Sequence, residues 1–351
     1  MILYRWQGAA RNFGDELNTL LWPHLLPGFF DDEPSARFLG IGSVLDRRHP
    51  ADRLKIVAGS GYGGYEPPPE LDHTWRILWV RGPHTARRIG LPARLGLGDP
   101  AALLPLVCSG SARRAPAHPR MQAPHDVAGP PAEAERAKAP APIGFMPHFE
   151  SAARGAWHAA ASLAGIGFID PRGDPAAIVE AIGACRILVA EAMHGAIVAD
   201  ALRVPWIAIR PLAPIHRAKW HDWADTLGLR LAFRTLPPST LLERAQISGL
   251  ARYHAGRRLL CRHADRLRSM GSTGFVSRAA AALAAVAREA PQLSADAALA
   301  SCQDRMMTRL DALAHPALRA PLLAPRRPAP ASVPDRLHLM GESAYHPGLI
   351  G

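Results

Sequence analysis

Short apolar runs alternate with stretches of helical periodicity through the first third of the chain. "RFLGIG" (37–42), "LKIVAG" (54–59) and "RILWVRG" (76–82) are continuous apolar runs ending in glycine, the pattern of strands buried on both faces. "DELNTLLWPHLL" (15–26) and "PHTARRIGL" (83–91) carry the period of amphipathic helices. The alternation predicts a parallel sheet with helices on its faces. A second block repeats it. "IGFMPHFE" (143–150) opens with a strand, and 166–170, 186–191 and 206–211 read as further strands. Helices are expected at 174–185 and 195–203. The pattern predicts an α/β fold of two domains, 1–108 and 143–235, with a cleft between them.

The pattern breaks in three places. Residues 109–142 are rich in proline and alanine and have no apolar period, so they read as a linker. Residues 236–315 read as a helical extension, with helices at 239–270 and 277–290, the first strongly basic on one side. Residues 316–351 form a proline-rich tail expected to be poorly ordered.

Composition narrows the setting. No run of 18 uncharged apolar residues predicts a membrane span. The start lacks a long apolar segment and a cleavage site, so a cytoplasmic location is expected. The four cysteines lie far apart without a C-x-x-C pair, which fits a reducing compartment and argues against structural zinc. The net charge of +11 favours anionic partners. No zinc finger, RNA-binding signature or aromatic-interleaved basic stripe accompanies it, so nucleic acid is not expected. The basic segment 252–268 has two readings, a solvated helix face or a peripheral contact with an anionic membrane at the inner face of the plasma membrane.

Six stretches could carry chemistry. Gly59, Gly61 and Gly64 spell G-x-G-x-x-G behind a strand, the spacing of a dinucleotide turn. That turn must open a helix, and Pro67, Pro68 and Pro69 forbid one here. The loop with Gly59, Ser60 and Gly61 instead lies at the carboxyl edge of a sheet, where α/β folds bind ligands. In "NFGDELN" (12–18), Asn12 and Gly14 suit a turn, and Asp15 is either a first-turn acid or a carboxylate that orients or deprotonates a sugar hydroxyl. Arg81, at a strand end, can grip a carboxylate or phosphate with its planar fork. His194 and Gly195 enter a helix behind a strand that ends near Glu191; a histidine there is a polar turn residue, an anion contact or a proton donor. His148 and Lys219 add basic groups near other strand ends.

With these residues the chain resembles the polysaccharide pyruvyl transferase family, most closely its bacterial exopolysaccharide members, often called ketolases. The matching stretches are "NFGDELN", "GIGSVL", "GSGYG", "VRGPHTARRIGL", "GDPAALLP", "IGFMPHFE", "GFIDPRGD", "AEAMHGAIVADALRVPWIAI" and "KWHDW", in order over residues 3–228. The resemblance implies a GT-B-like fold of two Rossmann-like domains facing a cleft. It implies transfer of pyruvate from phosphoenolpyruvate onto two hydroxyls of a sugar or lipid-linked oligosaccharide, forming a cyclic ketal and releasing phosphate. It carries phosphoenolpyruvate contacts to Arg81 and His194. His148 matches a family histidine, and Asp15 the family's "GD" position, where a base is expected. The substrate contacts expected besides these are Asn12, Gly14, Gly59, Ser60, Gly61, Glu191, Gly195 and Lys219. Phosphoenolpyruvate is a co-substrate; neither cofactor nor metal is expected. The alternatives are a nucleotide-sugar glycosyltransferase on the same fold and a non-catalytic subunit of a polysaccharide assembly complex.

Overall fold

The computed structural model describes residues 1–8, 10–31, 33–108, 142–212, 216–248 and 254–314. The linker expected at 109–142, apart from residue 142, and the tail expected at 316–351 lie outside the described residues.

The fold is α/β, with two four-stranded parallel sheets of Rossmann-like character. The first runs in sequential order β1 (Ile2–Tyr4), β2 (Ala36–Leu39), β3 (Leu54–Ala58), β4 (Trp75–Trp79). The second contains β5 (Ile143–Met146), β6 (Gly167–Phe168), β7 (Ile187–Ala190) and β8 (Trp206–Ala208) in the order β6-β5-β7-β8. From β5 the chain moves outward to β6, then returns past β5 to β7. Connections therefore leave β5 and β7 in opposite directions, the switch point at whose carboxyl ends open α/β sheets bind ligands.

The first half carries helices α1 (Phe13–Leu25), α2 (Pro83–Arg88) and α3 (Leu104–Cys108). The second carries α4 (Phe149–Arg154), α5 (Trp157–Leu163), α6 (Pro175–Gly183), α7 (Met193–Ala201) and α8 (Arg217–Ala224). Then follow α9 (Leu241–Ile247), α10 (His254–Arg262), α11 (Ala264–Ser269), α12 (Ser272–Val286) and α13 (Asp296–Ala314). The starts obey local chemistry. Pro83 and Pro175 occupy first helical positions, and the Asp174 carboxylate accepts from the Ala177 N–H at 3.0 Å.

Strand β7 shows why continuous apolar runs form the sheet. Leu188 and Ala190 face one core, and Val189 faces another. The first core is shared by both halves: Phe38, Leu78 and Trp79 join Leu188 and Trp206 in one apolar cluster. In the second, Val189 and Ile207 pack with Ala279, Ala280 and Leu283 of α12. The extension is therefore built into the fold. Helix α13 returns to the first half, where Cys302 Sγ donates to the Leu97 carbonyl at 2.9 Å and Gln303 Nε2 to that of Ala102 at 2.7 Å.

Two expectations shift. Strand β1 has only three residues, too few for a periodic signal. Among the described residues, the helix expected over 239–270 appears as α9, α10 and α11, the first starting after Thr240, whose hydroxyl accepts from the Glu243 N–H. Between Gly59 and Gly82 no helix follows the glycine loop, in line with the proline argument.

Met306 is fully buried where α13 meets the shared core. Met306→Ala is expected to cost about 2–5 kcal/mol in a urea titration. A loss below about 1 kcal/mol would mean that α13 can leave the first half without consequence.

Candidate functional site

The carboxyl ends of β5 and β7 gather side chains from both halves. His148 follows β5, and Glu191 and His194 follow β7. The buried Glu191 carboxylate accepts from the His148 backbone N–H at 2.9 Å, the Ser151 hydroxyl at 3.0 Å and the Leu212 N–H at 3.3 Å. Glu191 thus fixes the loop behind β5. Burial pushes its carboxyl up to about 7, against the pull of these donors.

His194 lies over the start of α1. A Cβ on Gly14 would sit 1.9 Å from His194 Nδ1, so only glycine lets the ring approach this closely. His194 Nε2 is 3.4 Å from Asp99 Oδ2, and both atoms are buried without a hydrogen-bond partner. The other Asp99 oxygen accepts from the Ala101 N–H at 3.0 Å, fixing the carboxylate at the head of a short helical turn. Asp15 is also buried and accepts from Asn12 Nδ2 at 2.6 Å. Burial raises its carboxyl above the usual range, while His194, Asn12 and Lys219 pull it back. Gly195 packs toward Met146 of β5.

Arg81 has no exposed surface. Its Nε donates to Asp222 Oδ2 at 3.2 Å, Nη1 to the Ser43 hydroxyl at 2.8 Å and Nη2 to the Tyr62 carbonyl at 3.3 Å. The guanidinium lies on Gly61, where a Cβ would come within 2.1 Å of Cζ. Asp222 Oδ1 accepts from the N–H groups of His84 and Thr85, both at 2.9 Å, and Oδ2 also accepts from the Thr85 hydroxyl. Arg81 and Asp222 therefore tie the two halves together. Ser60 is buried as well, its hydroxyl donating to the Gly40 carbonyl at 2.6 Å, and Gly59 leaves room for Pro100.

A second polar cluster lies beside this tie. Tyr65, at the end of the glycine loop, has its hydroxyl 2.7 Å from Lys219 Nζ and 2.9 Å from His216 Nδ1. His216 Nε2 is 3.3 Å from Glu150 Oε2, which also pairs with Arg154 at 3.3 Å. The His148 and His216 rings stack with centroids 4.3 Å apart. Burial holds both imidazoles below the usual histidine range, His148 well below it; His216 and then Lys219 add to the effect at His148, and Lys219 at His216. Burial alone would raise Glu150, but the His216 hydrogen bond and Arg154 outweigh it and hold its carboxyl at about 2.

The nitrogen and oxygen ligand atoms of His148, Glu150 and His216 lie within 4.8 Å of one another, a grouping that no sequence spacing announced. Two neutral imidazoles and a carboxylate resemble a metal donor set. Lys219 and Arg154, however, already place two cations around it, and Arg154 occupies the carboxylate. The surroundings suit an anion better than a second cation.

The chain is 36% identical over 334 residues to the succinoglycan biosynthesis protein ExoV of Rhizobium meliloti (strain 1021), a match that covers 88% of this chain and 98% of the relative. The chain belongs to the polysaccharide pyruvyl transferase family. No family model and no solved structure matches it. In this family member, the structure brings Asp15, Asn12, Gly14, His148, Glu191, His194 and Lys219 to one region, and it gives Arg81 and Ser60 partners within the protein. Sequence reasoning missed Asp99, Tyr65, Glu150 and His216, and it gave Asp222 no role. Asp99 was visible in "GDPAALLP", and Asp222 in "KWHDW" beside Lys219. Tyr65 and His216 carry no local signal, because their roles arise only where the halves meet.

Two outcomes follow from the buried charges. Arg81→Ala leaves Asp222 without its cation, and a broken buried pair typically costs about 3–5 kcal/mol. Denaturant unfolding is expected to show a loss of that order; an unchanged midpoint would remove the tie. For Glu191, the folded carboxyl titrates near 7 and the unfolded one near 4.5. Between those values the folded state keeps a proton that the unfolded state has released, so its contribution to stability falls as pH rises from 4.5 to 7. Glu191→Gln cannot ionise and is expected to flatten the dependence of melting temperature on pH in that window. A slope identical to wild type would assign the effect elsewhere.

Proposed function

We propose that the protein transfers pyruvate from phosphoenolpyruvate onto two hydroxyls of one sugar unit in an exopolysaccharide precursor, forming a cyclic ketal and releasing phosphate. In this reading the two Rossmann-like halves form a GT-B-like pair with the reaction between their carboxyl edges. The observation that carries it is the convergence of four separate motifs at the β5–β7 crevice. They deliver the His194 imidazole over Gly14, the buried Asp15 carboxyl, and the Lys219–Tyr65–His216 chain beside Arg154. Family membership supports the reaction class, and the relative's role in succinoglycan biosynthesis supports a polysaccharide product.

Phosphoenolpyruvate carries up to three negative charges. Lys219 and Arg154 hold them beside Tyr65 and His216. Arg81 acts through its neighbours: it positions Ser43 and the carbonyl end of the glycine loop, and so places Tyr65. His194 gives a proton to C3 of phosphoenolpyruvate, and C2 becomes electrophilic. Asp15 takes the proton of the first sugar hydroxyl as its oxygen bonds to C2. The second hydroxyl then attacks C2, the bond from C2 to the phosphate oxygen breaks, and the last proton leaves with phosphate. Return of the proton from Asp15 to His194 restores the starting state. Asp99, 3.4 Å from His194 Nε2, gives the protonated ring a counter-charge.

Release of phosphate from phosphoenolpyruvate in the presence of a sugar acceptor tests the reading. His194→Gln is expected to lower turnover by ~10²-fold or more, because an amide can hydrogen-bond but cannot supply the proton. In heavy water, the ketal methyl group of the wild-type product takes up one deuterium. Near-normal turnover of His194→Gln would move the acid to another residue, with His148 next. Consumption of a nucleotide sugar, without phosphate release from phosphoenolpyruvate, would replace the reading with glycosyl transfer.

A further inference from the structure

Helices α9 to α12 carry an outer surface that the proposed chemistry does not use. Large apolar side chains stand in solvent there: Ile247 is 52% exposed, Leu259 51% and Met270 46%. Ile247 lines a groove of about 350 Å³ floored by Pro238 and Phe275, with Arg244 and Arg278 along it. Arg258, Arg262 and Arg266 are exposed on the neighbouring helices α10 and α11. From residue 244 to residue 288 the sequence holds a single acid, Asp265, and it pairs with Arg268 at 3.0 Å. Arg252 of the expected basic segment lies outside the described residues.

Scattered exposed apolar residues need no partner, but an apolar groove framed by unopposed arginines does. A nucleic acid would use the cations and leave Ile247, Leu259 and Met270 in water. An anionic bilayer uses both: guanidinium groups reach headgroup phosphates, and the apolar side chains enter the boundary with the acyl chains. No described helix is long and apolar enough to cross a membrane, so such a contact would lie on the surface. We propose that Ile247, Leu259 and Met270, framed by Arg244, Arg258 and Arg278, form a docking surface for an anionic phospholipid bilayer. Its place beside the crevice gives the contact a use. The Thr240 hydroxyl at the head of α9 donates to the Arg154 carbonyl of α4 at 3.2 Å, and α4 carries Glu150 and Arg154. A bilayer seated on α9 holds its lipid headgroups next to the helix that borders the site.

Vesicle flotation of the full chain tests this without reading any activity. Wild type is expected to float with phosphatidylglycerol vesicles at low salt, and far less with pure phosphatidylcholine. Part of the binding persists at high salt, because the apolar contacts are not screened. Arg244→Gln with Arg278→Gln is expected to weaken binding at low salt by ~10-fold or more. Ile247→Asp with Leu259→Asp removes the salt-resistant part, with the melting temperature unchanged as the control for folding; Ile247→Ser with Leu259→Ser serves if the acidic pair melts early. No flotation at low salt overturns the proposal, and so does flotation that neither pair alters. A wild-type dimer in light scattering that Ile247→Asp dissociates, without vesicle binding, would make the groove a contact between copies. Retention on RNA without vesicle binding would assign the arginines to nucleic acid.

Discussion

Asp222 holds the two halves of the chain in one register. Its carboxylate takes hydrogen bonds from two backbone N–H groups, a hydroxyl and a guanidinium, all contributed by residues 81–85 of the other half. A buried carboxylate is costly alone, and here the donors and the cation offset that cost together. Because Asp222 sits on α8, the same contact sets Lys219 one turn earlier and His216 at the head of the helix. Both side chains meet Tyr65 of the glycine loop. That loop is held in turn by Arg81, through the Tyr62 carbonyl. The tie and the site are thus one hydrogen-bonded assembly, and neither half can shift without moving groups of the other.

The glycine spelling at 59–64 has its physical explanation in this assembly. Gly61 is small because the Arg81 guanidinium lies on it, and Gly59 because Pro100 does. Pro100 follows Asp99, so the close approach at Gly59 also brings that carboxylate toward His194. A dinucleotide turn and a site between two packed halves make the same demand, backbone without side chains at a sheet edge. Spacing cannot tell them apart; the three prolines behind the loop can.

Much of the fold was legible because buried parallel strands write themselves as unbroken apolar runs. Seven of the eight strands lie where such runs predicted them, and the missing β1 is too short to write anything. The residues placed near the proposed chemistry, Asp15, His148 and His194, were legible for a related reason: each follows a glycine or a strand end, and local signals mark those places. What stayed hidden was pairing at a distance. Arg81 and Asp222 are 141 positions apart, and Tyr65 and His216 are 151 apart. A planar fork at a strand end reads equally well as a ligand clamp and as a buried tie, and only the fold supplies its partners. The extension misled for the opposite reason. Its arginines dominate the sequence signal, while the alanine and leucine faces of α12 that cover the second sheet look unremarkable as text.

Two carboxylates of the candidate site show how environment divides labour between like groups. Glu150 sits among His216, Arg154 and His148, and it stays ionised down to about 2. Glu191 is buried deeper and meets only neutral donors, so burial prevails and its carboxyl rises to about 7. The consequences differ. Glu150 is a fixed negative charge that orients the His216 ring and keeps Arg154 at the rim. Glu191 can exchange its proton near neutrality, yet its oxygens are committed to the His148 N–H, Ser151 and Leu212. A change in its charge therefore acts on the loop that carries His148, whereas His194 answers to Gly14 and Asp99. The two histidines of the crevice are thereby held by separate supports, and a proton gained or lost at Glu191 can loosen one while leaving the other aimed.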